Sequence, residues 1–236
     1  MLPIAIFRFS RTEGPAYFAQ WLDAHGLAWR LIALDDGAAM PADPRAFAGI
    51  GMMGGPMSVN DALPWIEPLC VLLRDAIDAR VPVIGHCLGG QLLARAMGAT
   101  VTRAARSEIG WIDVDVDDTP AARAWFGGRP RFGAFQWHYD AFGLPARATR
   151  VLSNAFNPNQ AYTIDDRHIG LQCHVEMTGE LVDTWCRSAR DELPAASTPA
   201  MQSEADIRAA LPARLDALHR VAASIYTRWA EGLARP

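Results

Sequence analysis

Cys87 stands in the run Val81-Pro-Val-Ile-Gly-His-Cys-Leu-Gly-Gly-Gln91, where an apolar stretch gives way to a thiol between two glycines. Helical spacing then begins, with Leu92, Leu93, Ala96 and Met97 on one face. G-x-C-x-G between a strand and a helix is the thiol form of a nucleophile elbow, a tight turn that lifts a nucleophile above a sheet. Such a turn brings the nucleophile's backbone close to the residues two before and two after it. Gly85 and Gly89 lack a Cβ and permit both that approach and unusual φ values. At a helix N-terminus, the dipole and free N–H groups favour a thiolate, and the Leu88 N–H points where an oxyanion would form. A buried structural cysteine in a strand–helix turn satisfies the same local pattern.

A thiol nucleophile needs a base and a group that orients the base. His174 and Glu176 follow the apolar run His168–Cys173 and lie two residues apart. At the end of a strand they would share one side, so the carboxylate could hold the imidazole in one tautomer. If that strand runs parallel to the one before Cys87, the pair reaches the same sheet edge. A surface histidine and a glutamate near a helix start is the competing reading. Gly54-Gly55-Pro56-Met57-Ser58 follows another apolar run, Phe47–Met53. Its N–H groups can bind an anion or a developing oxyanion, or the glycines can simply end a strand.

Positioning such groups requires a layered α/β frame. Pro3–Phe9 reads as a buried strand, Gly14–His25 as a helix ended by Gly26, and Leu27–Leu34 as a second strand. Leu63–Arg80 reads as a helix with Pro64 tolerated in its first turn. Strand–helix alternation at this spacing implies parallel strands joined by crossovers, with sites at their carboxyl ends. After Gly98 short strands are expected over 99–103, 109–116, 131–136, 150–153 and 160–164. Thr178 can cap a helix running to about Glu192, and Ser203-Glu-Ala-Asp206 opens a final helix to about Trp229. The expected fold is an open, mostly parallel sheet with helices on both faces, a small antiparallel addition and a C-terminal helix. One domain over 1–236 is expected, its core ending near 190 and a helical extension covering about 200–232.

Composition narrows the function classes. Half of the 236 residues are hydrophobic, a fifth are charged and the net charge is −4, which gives a real core and no basic surface for nucleic acid. No apolar run approaches the roughly 18 residues that span a bilayer, and the first ten residues read as a strand rather than a leader. Cys70, Cys87, Cys173 and Cys186 show no paired C-x-x-C spacing, so neither a metal nor a cofactor is expected. Reduced thiols fit a cytoplasmic protein.

Taken together, Gly54-Gly-Pro-Met-Ser58, Gly85-His-Cys-Leu-Gly-Gly-Gln91, Glu108-Ile-Gly-Trp111, Phe135-Gln-Trp-His138, Asn159-Gln-Ala161 and His174-Val-Glu176 resemble the class I glutamine amidotransferases, in that family's order. The likeness is nearest to the stand-alone branch called GMP-synthase-like. The resemblance implies Cys87 as nucleophile, His174 as general acid/base and Glu176 as its orienting partner. It implies an oxyanion hole from the N–H groups of Gly55 and Leu88. It implies a glutamine pocket lined by Gln91, Glu108, Gly110 and Trp111, with His138 near it. The substrate would be glutamine or another γ-glutamyl small molecule, and a separate synthetase subunit is a possible partner; a free-standing γ-glutamyl hydrolase and a non-catalytic binding protein are the alternatives. Two positions depart from the family's habit: Val175 where proline is common, and His86 where an apolar residue is common. His86 should point away from the thiol and serve the core.

Overall fold

Ile4 and Ile6 enter one hydrophobic cluster while Ala5 and Phe7 enter another, because successive side chains of a strand point to opposite faces. A strand apolar on both sides needs cover on both sides, which is the condition met by parallel strands flanked by helices. The computed structural model, which describes residues 2–233, has this arrangement. Along the chain the elements are β1 (Ile4–Arg8), α1 (Ala16–Ala24), β2 (Trp29–Ala33), β3 (Ile50–Met52), α2 (Ile66–Asp78), β4 (Val83–His86) and α3 (Leu88–Ala96), then β5 (Val101–Val116), α4 (Pro120–Phe126), β6 (Arg131–Phe142), β7 (Ala148–Ser153), β8 (Ala161–Ile164), β9 (His168–Leu171), α5 (Gly179–Ser188), α6 (Glu204–Arg208) and α7 (Leu211–Ala230).

These strands form one sheet in the order β2-β1-β3-β4-β9-β8-β7-β5-β6. From β2 to β9 neighbours are parallel, and from β9 to β6 they are antiparallel. The cluster on one face takes in side chains of α1, α4, α5 and α7; the other takes in α2 and α3. Among the described residues no helix is long and apolar enough to cross a membrane.

Three of the differences between sequence and structure have local reasons. The segments expected at 99–103 and 109–116 are one 16-residue strand, β5, whose register against β6 slips between Arg103 and Glu108. A bulge there hides the alternation that would have joined them. Where the sequence shows only a turn around Gly127, the structure has the short helix α4, capped by Thr119 and closed by Gly127 at φ 65°. The final helix is two. Pro212 lies in the first turn of α7, and Ala210 before it has φ 52°. Continued helix would press the proline ring onto the carbonyl of Arg208, the residue at which α6 ends.

Helix α7 buries Leu215, Leu218, Val221, Ala222, Ile225, Tyr226 and Trp229. That face is filled by the chain's own core. A Cβ on Gly49 would lie 2.8 Å from Trp229 Cζ2, so the indole rests directly on the backbone leading into β3. Trp229→Ala is expected to cost about 3–5 kcal/mol of stability, read as a drop in the thermal midpoint by circular dichroism. Val71→Ala, at a side chain 44% exposed, is expected to stay within about 0.5 kcal/mol.

Candidate active site

At the β4–α3 junction Cys87 has φ 47° and ψ −107°. This is a region that costs a non-glycine residue on the order of 1–3 kcal/mol. The strain sits on the cysteine and not on its glycines, since neither Gly85 nor Gly89 has a positive φ. What the glycines supply is room. A Cβ on Gly85 would lie 2.4 Å from the carbonyl carbon and oxygen of Gly89, and one on Gly89 would lie 2.6 Å from Met52 Cβ and O. The turn is tied down by Cys87 N–H donating to Leu171 O at 2.8 Å and Gly89 N–H donating to Met53 O at 3.1 Å. His86 points away from the thiol and into the core. Its Nδ1 lies 3.1 Å from Met52 O and its Nε2 3.3 Å from the Tyr226 hydroxyl. Burial holds its pKa below the ordinary value.

The strand β9 ends at Leu171, so His174 and Glu176 lie beyond it, and strand alternation is not what pairs them. His174 is docked sideways on the antiparallel half of the sheet, its N–H donating to Phe135 O at 2.8 Å. Glu176 O accepts from Tyr17 N–H at 2.9 Å. Their side chains meet at 2.6 Å, His174 Nδ1 to Glu176 Oε1, both almost fully buried. Trp185 packs edge-on to the imidazole with centroids 4.7 Å apart. Burial disfavours the imidazolium, but the Glu176 carboxylate and then the Cys87 sulfur outweigh it and hold the His174 pKa well above its ordinary value. Burial opposes the Glu176 charge as well, and His174 overcomes it, keeping that carboxyl below its usual range. With Nδ1 bound to Glu176, Nε2 is left without a hydrogen-bond partner among the described residues.

A pocket of about 360 Å³ opens over Cys87. Gly55 lines it, and a Cβ there would lie 2.6 Å from Leu88 Cδ2, so its backbone packs directly on the Leu88 side chain. Neither Gly55 N–H nor Leu88 N–H has a hydrogen-bond partner among the described residues. Gln91 lines the pocket, its amide donating to Asp140 O at 3.0 Å and to Gln172 Oε1 at 3.3 Å. Gln172 in turn approaches Cys87 Sγ at 3.6 Å. His138 also lines it.

Glu108, Gly110 and Trp111, expected to line a glutamine pocket, are not among the residues that line this one. Glu108 is fully buried behind His138, with Oε2 3.1 Å from His138 Nε2. It accepts from Asn154 Nδ2 at 2.5 Å and Gln160 Nε2 at 2.8 Å. Gly110, at φ 100°, is pressed against Gln202. Trp111 donates from Nε1 to Ile207 O at 3.0 Å. Glu108 thus supports His138 from behind, while Gly110 and Trp111 anchor the C-terminal segment through Gln202 and Ile207.

Several pocket residues carry no motif. Glu13 lies in the loop after β1 and lines the pocket. A Cβ on Gly54 would lie 2.2 Å from Glu13 Oε2 and 2.9 Å from His174 Cε1, so carboxylate and imidazole flank one glycine. Burial pushes the Glu13 carboxyl up to about 7; His174 pulls it down, while Glu176 and Glu192 push it up. Its position at the carboxyl end of a parallel strand, where sites assemble, was a usable signal. Glu192 had none: it follows α5 in a short turn and accepts from Trp137 Nε1 at 2.8 Å and Tyr139 O–H at 2.6 Å.

Comparison with known proteins matches this architecture. A family model described as glutamine amidotransferase class-I matches residues 31–185. A crystal structure of a glutamine amido transferase from Methylobacillus flagellatus superposes with a TM-score of 0.97 at 42% identity, covering 100% of this chain and 97% of that one. The glutamine amidotransferase-like protein YfeJ of Salmonella typhimurium is 29% identical over 77% of this chain and 78% of its own length. A glutamine-hydrolyzing GMP synthase subunit of Sulfurisphaera tokodaii is 36% identical over 41% of this chain, a match spanning 51% of that protein. The chain belongs to the class I glutamine amidotransferase family.

Proposed function

We propose that this chain hydrolyses the side-chain amide of a γ-glutamyl compound, glutamine being the simplest, through a thioester on Cys87. The observation that carries this reading is the meeting of the strained Cys87 elbow with the buried His174–Glu176 pair beneath one pocket. His174, held as imidazolium by Glu176 and the Cys87 sulfur, forms an ion pair with the thiolate. The thiolate attacks the amide carbonyl, an S–C bond forms, and the carbonyl electrons move onto oxygen. The unpartnered N–H groups of Gly55 and Leu88 receive that oxyanion, each such donor being worth about 3–4 kcal/mol. As the C–N bond breaks, the Nε2 proton passes to the leaving nitrogen. Neutral His174 then takes a proton from water, whose oxygen displaces the thiolate and returns the free γ-carboxylate. No step changes an oxidation state.

The ammonia has two destinations. The likeness to a glutamine-hydrolyzing GMP synthase subunit supports delivery to a separate synthetase chain. A free-standing γ-glutamyl hydrolase is the second reading, supported by a pocket that already holds the thiol, the two N–H groups and Gln91 without a partner. The purified chain is expected to release ammonia or amine from a γ-glutamyl amide, and Cys87→Ala to abolish that release while keeping the thermal midpoint. Full release in Cys87→Ala would end the mechanism. Release only after a synthetase is added would settle on the first destination.

Glu176→Gln keeps a hydrogen-bond acceptor but removes the charge that outweighs burial at His174. The imidazole pKa is then expected to fall, because burial is the largest influence and acts downward. The fraction of imidazolium at pH 7 should drop, and kcat with it, by on the order of 10²–10⁴-fold. The rate of Cys87 alkylation against pH, measured beside turnover, should lose its dependence on the ion pair. An unchanged pH profile would remove Glu176 from the mechanism.

A further inference from the structure

The walls of the pocket are not all family-matched. Glu13 precedes residues 31–185, and Glu192 follows them. Both are carboxylates, and the Glu192 charge pushes the Glu13 carboxyl up while His174 pulls it down. We propose that Glu13, with Glu192 at the pocket rim, forms a leaving-group subsite that holds the departing amine beside His174 and selects γ-glutamyl amides whose amine half carries no carboxylate. This rests on the reading of Cys87 and His174 given above and names the substrate class of that site.

The side of the pocket follows from the chemistry. Whatever nitrogen leaves must take its proton from His174, so the amine half lies on the His174 side. Glu13 stands there, across Gly54 from the imidazole. Trp185 closes the same side, packing on His174 and donating from Nε1 to Thr12 O at 2.8 Å, which fixes the Glu13 loop. Glu192 is aimed by its two donors, Trp137 and Tyr139. Arg103 is the one lysine or arginine among the described residues that line the pocket. Its guanidinium lies over the Tyr139 ring, 4.6 Å from the centroid, and 4.0 Å from Asp140. A γ-glutamyl substrate brings its own α-carboxylate, and Arg103 is the group that can take it. A second carboxylate on the amine half would then face Glu13 and Glu192 with no lysine or arginine left to pair with, the His174 imidazolium being held already by Glu176 and the Cys87 sulfur. Two like charges in a partly enclosed site disfavour such a ligand by roughly tenfold or more.

A pH signature accompanies this. The groups facing Glu13 are His174 and Glu176 beyond β9, Glu192 beyond α5, Cys87 at the start of α3, and, across the pocket, Arg103 on β5 with His138, Tyr139 and Asp140 on β6. Because burial pushes its carboxyl to about 7, Glu13 gains its charge as pH rises through neutrality. Selection against an anionic amine half should therefore sharpen as pH rises through about 7 in the wild type.

The test uses the full chain and three γ-glutamyl amides with one acyl half: those of ethylenediamine (cationic), methylamine (neutral) and glycine (anionic). Each is compared as a substrate by kcat/KM. Each is also compared as a protector of Cys87 against labelling by 6-diazo-5-oxo-norleucine, so that ranking is read even from a chain that binds without turnover. The expected result is that the glycine amide is at least tenfold poorer than the other two. In Glu13→Gln that gap should shrink about tenfold and lose its dependence on pH, with labelling of Cys87 retained. Glu192→Gln, whose amide oxygen still accepts from Trp137 and Tyr139, should narrow the gap independently and serves if Glu13→Gln fails to fold. A wild type that takes the glycine amide as well as the others, or variants that leave ranking and pH dependence untouched, would overturn the subsite. A Cys87 that is neither labelled nor protected would overturn the γ-glutamyl reading itself, and the subsite with it.

Discussion

Everything about the candidate site depends on one backbone constraint, the positive φ of Cys87. A side chain in that region is unfavourable in isolation, so the surroundings must over-determine it. They do so from several directions. The glycines at 85 and 89 let the chain fold back on itself with no room for a methyl group, and Leu171 O takes the Cys87 N–H. From below, α7 reaches the same point through Tyr226 and His86. The reward for the strain is presentation of the thiol at a helix start, with the N–H groups of Leu88 and Gly55 left unpaired among the described residues.

The second half of the site is built on different physics. His174 and Glu176 are buried ionisable groups, and burying either alone would be costly. Their mutual bond, together with the nearby sulfur, outweighs desolvation and shifts both toward their charged forms. Their backbone belongs to no strand. It is carried by hydrogen bonds to Phe135 on β6 and Tyr17 on α1, so the pair is placed by the antiparallel half of the sheet and a helix of the parallel half at once. The C-terminal helix joins in: His219 lies 2.8 Å from Met177 O and stacks on Tyr17. Helix α7 thus braces both the thiol's turn and the imidazole's.

A buried polar network carries the pocket floor. Glu108 accepts from Asn154 and Gln160, and His138 lies against it with Nε2 3.1 Å from Oε2. Such a network is worthwhile only when its members are paired, since an unpaired buried polar group is expensive. The motif Glu108-Ile-Gly-Trp111 therefore serves the pocket without touching it.

The sequence by itself determined the elements and the reactive types. Alternation and apolar runs marked the parallel strands, and the G-x-C-x-G spacing marked the elbow, because both are local consequences of backbone geometry. The histidine and glutamate two residues apart were legible for the same reason, although β9, the strand expected to pair them, ends at Leu171 and stops short of His174. What only the tertiary structure decided is everything that joins distant segments. Glu108 came to lie behind His138, Trp111 against α6, and Glu13 and Glu192, from opposite ends of the chain, came to face one pocket. A local pattern encodes dihedral preference and burial, but it does not encode which loop packs against which. That choice is made by the folded core, and with it the acidic wall beside His174.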